Sequence, residues 1–163
     1  VKSQSQGGFS FISTLPEGLK KYQAAVDMNG QQGADFQARK QMALQLLNVC
    51  NQGSANDPTV PPILTGNLRG SASVFVGAIL IQTTRGEYGI GAPATSYGGP
   101  YDEITIVYDT SYAAKMHEDT WNPGPRSEQS GNVGNKWVEK HLAADGPDLL
   151  EMYALTLKRL TGG

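Results

Sequence analysis

Cysteine occurs once in the 163 residues, at Cys50, so the chain holds neither an internal disulfide framework nor a multi-cysteine zinc site. Long apolar runs are missing too: none approaches the roughly 18 residues of a membrane-spanning helix. A strong excess of one charge is also missing. The formal net charge is −2, which supplies no general pull toward nucleic acid. The first residues, Val1 to Ile12 (VKSQSQGGFSFI), carry no apolar core or small-residue cleavage site of a signal peptide. The expectation is a soluble chain in a reducing compartment, folded as one domain over residues 1–163 with loose ends at about 1–7 and 161–163.

What the chain has in quantity is backbone punctuation, with 20 glycines and nine prolines. That is enough for long irregular segments and too little for a low-complexity chain. Gly8 to Ile12 reads as a short strand. Ser13 and Thr14 before Leu15-Pro16-Glu17 read as a helix start, with a hydroxyl cap, a first-turn proline and an acid at the positive end. Leu19, Tyr22 and Val26 give that helix an apolar stripe ending near Asn29-Gly30. A second helix is predicted from about Ala34 to Asn51, where Phe36, Ala43, Leu47 and Cys50 recur at spacings of seven, four and three. Cys50 sits on that face as a small buried hydrophobe rather than a nucleophile.

Pro58, Pro61 and Pro62 break regular structure after Gly53. Two β-rich stretches follow, Ser71 to Thr84 and Tyr101 to Tyr108. In the second, Ile104, Ile106 and Tyr108 alternate with Thr105 and Val107, the period of a half-buried strand. Between them, Gly86 to Pro100 (GEYGIGAPATSYGGP) reads as a long loop, mobile in an isolated subunit and ordered on assembly. Ser111 to Glu118 is short and of helical or extended potential, and Trp121 to Asn132 is a second breaker-rich stretch. Two helices close the chain, Asn135 to Ala144 and Asp148 to Leu160, divided by Asp145-Gly146-Pro147. Trp137, His141 and Leu142 mark one face of the first; Leu149, Met152, Tyr153, Leu157 and Leu160 mark the second. Helices, then strands, then helices predict an α+β domain: a small antiparallel sheet packed against an N-terminal amphipathic helix and C-terminal helices, with two long loops.

No catalytic pattern in the sequence is complete. The glycine-rich loop lacks the Gly-Lys-Ser/Thr ending of a P-loop, and Gly89-x-Gly91 lacks the third glycine of a dinucleotide fingerprint. His117-Glu118 begins like a zincin helix, but position 121 is Trp. Only His117 and His141 are available, so a metal would need carboxylates such as Glu118 or Asp119. Ten carboxylates against four basic residues lie between Tyr101 and Glu151, a solvated acidic face rather than a catalytic pair. The expectation is a protein that is not an enzyme and takes no metal or cofactor.

The best-defined pattern is Pro61-Pro62-Ile63-Leu64-Thr65-Gly66-Asn67-Leu68-Arg69-Gly70-Ser71, lying between the second helix and the first β-run. This resembles the tailed-bacteriophage neck family, also described as head–tail joining, tail-component or minor tail proteins, whose members carry P-x-x-T-G-x-L-R-x-S at this place. Pro62, Thr65, Gly66, Leu68, Arg69 and Ser71 fill that pattern. Tyr112-Ala113 followed by His117-Glu118 is similar to the family's Y-A-x-x-x-E segment, and the C-terminal helices correspond to its terminal helical region. The chain departs from the family in its long 86–99 loop and in the polar stretch from Trp121 to Asn132. Physically, Gly66 is suited to a positive φ or a close approach, Thr65 to local hydrogen bonding, and Leu68 to starting the inward face of the strand. Arg69 has two open roles, a cap or carboxylate partner inside the fold and a contact across a subunit interface.

The resemblance implies a virion structural protein of the neck, assembled in the host cytoplasm. It would form a homo-oligomeric ring, usually a hexamer, that joins the head-completion (stopper or connector) proteins to the tail terminator or tail tube. Genomic DNA would pass through the lumen without specific binding, kept from sticking by the acidic residues. Such a ring needs two different complementary surfaces per subunit. Tyr88, Tyr97, Tyr101 and Trp121 in the two loops are candidates for those contacts or for anchoring the loops to their own core. The alternatives are a tail terminator or tail-completion protein capping the tail tube, and a small metal-dependent hydrolase using His117, Glu118 and Asp119.

Overall fold

The computed structural model describes residues 2–3, 9–14, 33–63, 66–84, 91–100 and 103–162. The helix expected from Leu15 to Asn29, and Thr65, Tyr88 and Tyr101, lie outside these residues. The fold is α+β. Strands β1 (Lys2–Ser3), β2 (Phe9–Thr14), β3 (Ala72–Val76), β4 (Ile79–Thr83) and β5 (Glu103–Tyr108) form one small sheet in the order β1-β2-β5-β3-β4. Every pairing is antiparallel. Lys2 and Ser3, in the stretch expected to be loose, pair with Ser10 and Phe9. The stretch from Ser71 to Thr84 divides into the β3–β4 hairpin, turned by Gly77, whose φ of 59° suits glycine.

Helix α1 (Ala34–Gln52) crosses the inner face of the sheet and is covered in turn by α6 (Gly146–Leu160). Buried on both sides, it hides Phe36, Ala43, Leu47 and Cys50 as their spacing predicts. It also hides an ion pair, Asp35 with Arg39 at 2.9 Å, to which the Tyr153 hydroxyl of α6 donates through Asp35. Burial and the nearby Asp145 carboxylate push the Cys50 thiol far up, so it stays protonated and inert. Helix α5 (Trp137–Ala144) precedes α6, with Asp145 as the only residue between them. Leu160, expected on the inward face, is 46% exposed because the last turn of α6 runs past the core.

Strand β5 corrects the half-buried expectation, since Thr105 is as buried as Ile104 and Ile106. Its inner face, with that of β3, meets the helices. The described part of the glycine-rich loop, residues 91–100, folds back over the outer face of the neighbouring β3. Ser73 donates to the Ala94 carbonyl at 2.7 Å, and the Tyr97 ring lies 5.6 Å from that of Phe75. Gly91 is pressed on the main chain so closely that a Cβ there would stand 2.2 Å from the Gly70 carbonyl carbon. A loop in such contact hides hydroxyls that alternation alone assigns to solvent.

Candidate functional site

The segment from Pro61 to Ser71 is a stitched turn rather than the start of a strand. Gly66 has φ 86°, the left-handed conformation its place in the pattern called for. It opens a one-turn helix, α2 (Asn67–Gly70), where the Gly70 N–H donates to the Gly66 carbonyl. Leu68 therefore enters the core from a helical turn, 3% exposed, and not from the strand. Ser71 closes the turn: its hydroxyl donates to the Leu68 carbonyl at 2.7 Å. The Thr84 hydroxyl, reaching from the end of β4, donates to the Arg69 carbonyl and joins the hairpin to the same turn.

Arg69 takes an intrachain role. Its Nε donates to the Pro61 carbonyl at 2.8 Å and one terminal nitrogen donates to the Ser130 hydroxyl at 3.1 Å, with the residue 7% exposed. Ser130 belongs to α4 (Pro125–Ser130), a helix inside the stretch expected to be irregular. Pro125 stands in its first turn, where a missing N–H costs nothing. Ser127 binds α4 to the same loop a second time. It accepts from the Ile63 N–H at 2.9 Å and donates to the Ile63 carbonyl at 3.0 Å.

The Tyr-Ala segment begins α3 (Ala113–Glu118). Ala113 is fully buried and Tyr112 is 38% exposed. His117 is buried edge-on against Trp137, ring centres 4.7 Å apart, with Nδ1 2.9 Å from Glu118 Oε1. Burial pulls the His117 pKa below its ordinary value, against the opposing pull of Glu118. Glu118 also pairs with Lys136 at 2.6 Å, and these two hydrogen bonds hold its carboxyl below the usual range. Lys136 stands in a left-handed conformation, φ 50°, fixed by its backbone N–H on the His117 carbonyl.

These segments meet around one apolar groove of about 500 Å³. Pro62, Leu68, Tyr112, Met116 and Trp121 line it, with Pro125 of α4 at its wall. Pattern residues some fifty positions apart in sequence thus share one surface. Trp121 is anchored there through its own fold, its indole N–H donating to the Met116 carbonyl at 2.8 Å. Tyr97, by contrast, lies over the outer face of the sheet. The groove fits apolar matter and offers little chemistry.

A second polar assembly was not visible in the sequence reading. His141 Nε2 faces the Thr59 carbonyl at 2.7 Å, and Nδ1 lies 2.6 Å from Asp145 Oδ2. Asp145 also accepts from the Ser54 hydroxyl at 2.9 Å and the Asn56 amide at 3.0 Å. Burial alone would raise the Asp145 pKa; the bonds from His141, Ser54 and Asn56 outweigh it and lower it. The carboxylate stands between hydroxyl and imidazole, whereas a nucleophilic triad needs the imidazole in the middle. The arrangement therefore braces the loop after α1 against the α5–α6 junction. The i, i+4 spacing of His141 and Asp145 was the available signal. Among the described residues, no three His, Cys, Asp or Glu side chains gather where they could hold a metal ion. No described helix is long and apolar enough to cross a membrane.

No protein-family model, curated protein or solved structure matches this chain.

Proposed function

We propose that this chain is a structural protein of a phage neck, forming a ring that joins the head-completion proteins to the tail and lets DNA pass. The observation that carries the reading is the convergence of Pro62, Leu68 and Tyr112 on one groove. These are residues of the two segments on which the resemblance rests. Their chemistry suits assembly rather than turnover. Arg69 and Ser71 of the first segment brace turns, and the groove presents an exposed tyrosine, a half-buried tryptophan and apolar walls, with Asn122 and Arg126 also lining it. Aromatic anchors at the centre of an apolar patch are the usual carriers of binding energy between proteins.

Electron microscopy and native mass spectrometry of the purified chain test this. Closed rings with a central channel are expected, alone or on addition of the head-completion protein. A chain that remains monomeric under both conditions overturns the reading.

A further inference from the structure

Among the described residues, the sheet has two open edges. β1 pairs with β2 alone, and β4 pairs with β3 alone. The β4 edge is bare of the usual protection. From Gly77 to Thr84 the sequence GAILIQTT contains no charge and no proline, the residues that commonly blunt an edge strand. Leu80 and Gln82 are exposed, and Ile79, Ile81 and Thr83 are half-buried. The register shift opposite Val74 and Phe75 breaks the edge at Ile81 and leaves Gln82 and Thr83 as its regular part. Because the Thr84 N–H donates to the Ala72 carbonyl, alternation turns the peptide groups of Thr83 toward the open side.

Beside this edge lies a cavity of about 290 Å³ between α1 and β4. Asn48, Asn51, Gln52, Gln82 and Thr84 give it a polar lining. Asn51 is 1% exposed. Its Oδ1 accepts the Tyr108 hydroxyl at 2.8 Å, while its Nδ2 is buried with no hydrogen-bond partner. A buried amide donor left unpaired is costly, and an acceptor delivered from outside removes the cost.

We infer that the β4 edge takes up the Lys2–Ser3 edge of a second copy, extending the sheet from subunit to subunit and bringing a polar acceptor to Asn51 Nδ2. Three observations favour this occupant. The two open edges lie at opposite ends of one sheet, so joining them uses two different surfaces, the head-to-tail contact from which closed rings are made. Main-chain pairing at an exposed edge is a standard mode of peptide recognition. In sequence, Ser3 and the following Gln4 to Gln6 carry hydroxyl and amide oxygens, the kind of acceptor that Asn51 Nδ2 is without. The inference deepens the neck reading and rests on it for closure of the ring.

Two variants of the full chain test it. Ser3→Cys combined with Gln82→Cys is oxidised under native conditions, with each single variant alongside; Cys50 is buried and does not compete. Thr83→Pro removes the outward N–H, and its oligomer distribution is read by native mass spectrometry, with circular dichroism to verify folding. The expected result is a ladder of covalent multimers in the double variant only, and at least tenfold weaker assembly for Thr83→Pro. Should Thr83→Pro fail to fold, the cross-linking decides alone. Covalent dimers from Gln82→Cys alone mean that β4 pairs with itself, which overturns the inference. Rings that survive Thr83→Pro and yield no cross-link also overturn it and leave the neck reading standing. Cross-linked open chains with no closed ring keep the strand pairing and sink the ring. Monomers throughout, alone and with the head-completion protein added, overturn both.

Discussion

Arg69 Nε and the Pro61 carbonyl, 2.8 Å apart, close the stretch from Pro61 to Arg69 into a loop that the same guanidinium fastens to Ser130. A planar fork serves two acceptors in fixed directions, and a lysine ammonium does not reproduce that. Arg69→Ala is expected to cost about 3 kcal/mol and Arg69→Lys about 2 kcal/mol, given the worth of buried hydrogen bonds to a charged donor. Urea unfolding reads both. Equal stability of Arg69→Lys and the parent would show that the two-acceptor geometry is idle.

Gly66 and Gly91 are fixed by different causes and their substitutions separate them. Gly66→Ala forces a side chain into φ 86° and is expected to cost about 1 to 2 kcal/mol, with the fold otherwise intact. Gly91→Ala meets main chain at 2.2 Å, so the loop must lift off the sheet. Hydrogen exchange should then quicken at the amides of β3 and β5 in Gly91→Ala and stay unchanged there in Gly66→Ala. Unaltered exchange in both would mean that the loop gives way without uncovering the strands.

The buried trio of Asp35, Arg39 and Tyr153 gives a third prediction. Asp35→Ala takes the carboxylate away from a guanidinium that is 1% exposed, and a loss of about 3 to 5 kcal/mol is expected. Tyr153→Phe removes one hydrogen bond and should cost about 1 to 2 kcal/mol. Thermal unfolding ranks the two; a larger loss from Tyr153→Phe would contradict this order.

The pH dependence follows from His117. Its folded pKa is lowered, chiefly by burial, so the unfolded chain takes up the proton first. Its contribution to stability is complete above the ordinary value of 6.5 and is lost as pH falls through the lowered folded value. Glu118, also lowered, adds a contribution held above 4.5 and lost below it. The urea midpoint should therefore drop between pH 7.5 and 5.5, and the drop should flatten in His117→Gln. A variant with the parent's slope in that window would place the titration elsewhere.

Sequence pattern reached the helical parts of this fold well, because Phe36, Ala43, Leu47 and Cys50 repeat at a spacing that only a helix turns to one side. It reached Gly66 for a similar reason, since a glycine between helix and strand has few other uses. It missed the helix at Pro125–Ser130, whose six residues are mostly exposed and whose hold on the fold is two serine hydroxyls and a proline in the first turn. It misjudged Thr105 because alternation marks the two faces of a strand and carries no sign of whether the second face is covered. Leu68 was assigned inward for the right chemistry and to the wrong element. At the groove, residue types announced the segments, but only the closure by Arg69 and Ser127 brings Pro62 opposite Tyr112. The polar assembly around His141 and Asp145 was hidden because Thr59, which meets His141, and Ser54, which donates to Asp145, lie more than eighty residues away.

The central position of β5 sets the order in which this molecule comes into being. β3 and β4 are joined by a tight turn and have each other as soon as residue 83 is made. Phe9, by contrast, is opposite Tyr108, so β2 has no neighbour toward the middle of the sheet until β5 has been made through Tyr108. Partners so far apart in the chain are slow to meet. A nascent chain halted before Glu103 holds a hairpin and an N-terminal strand with the seat between them vacant. Completion of β5, rather than the appearance of the first strand, is then the event that joins the two halves of the sheet.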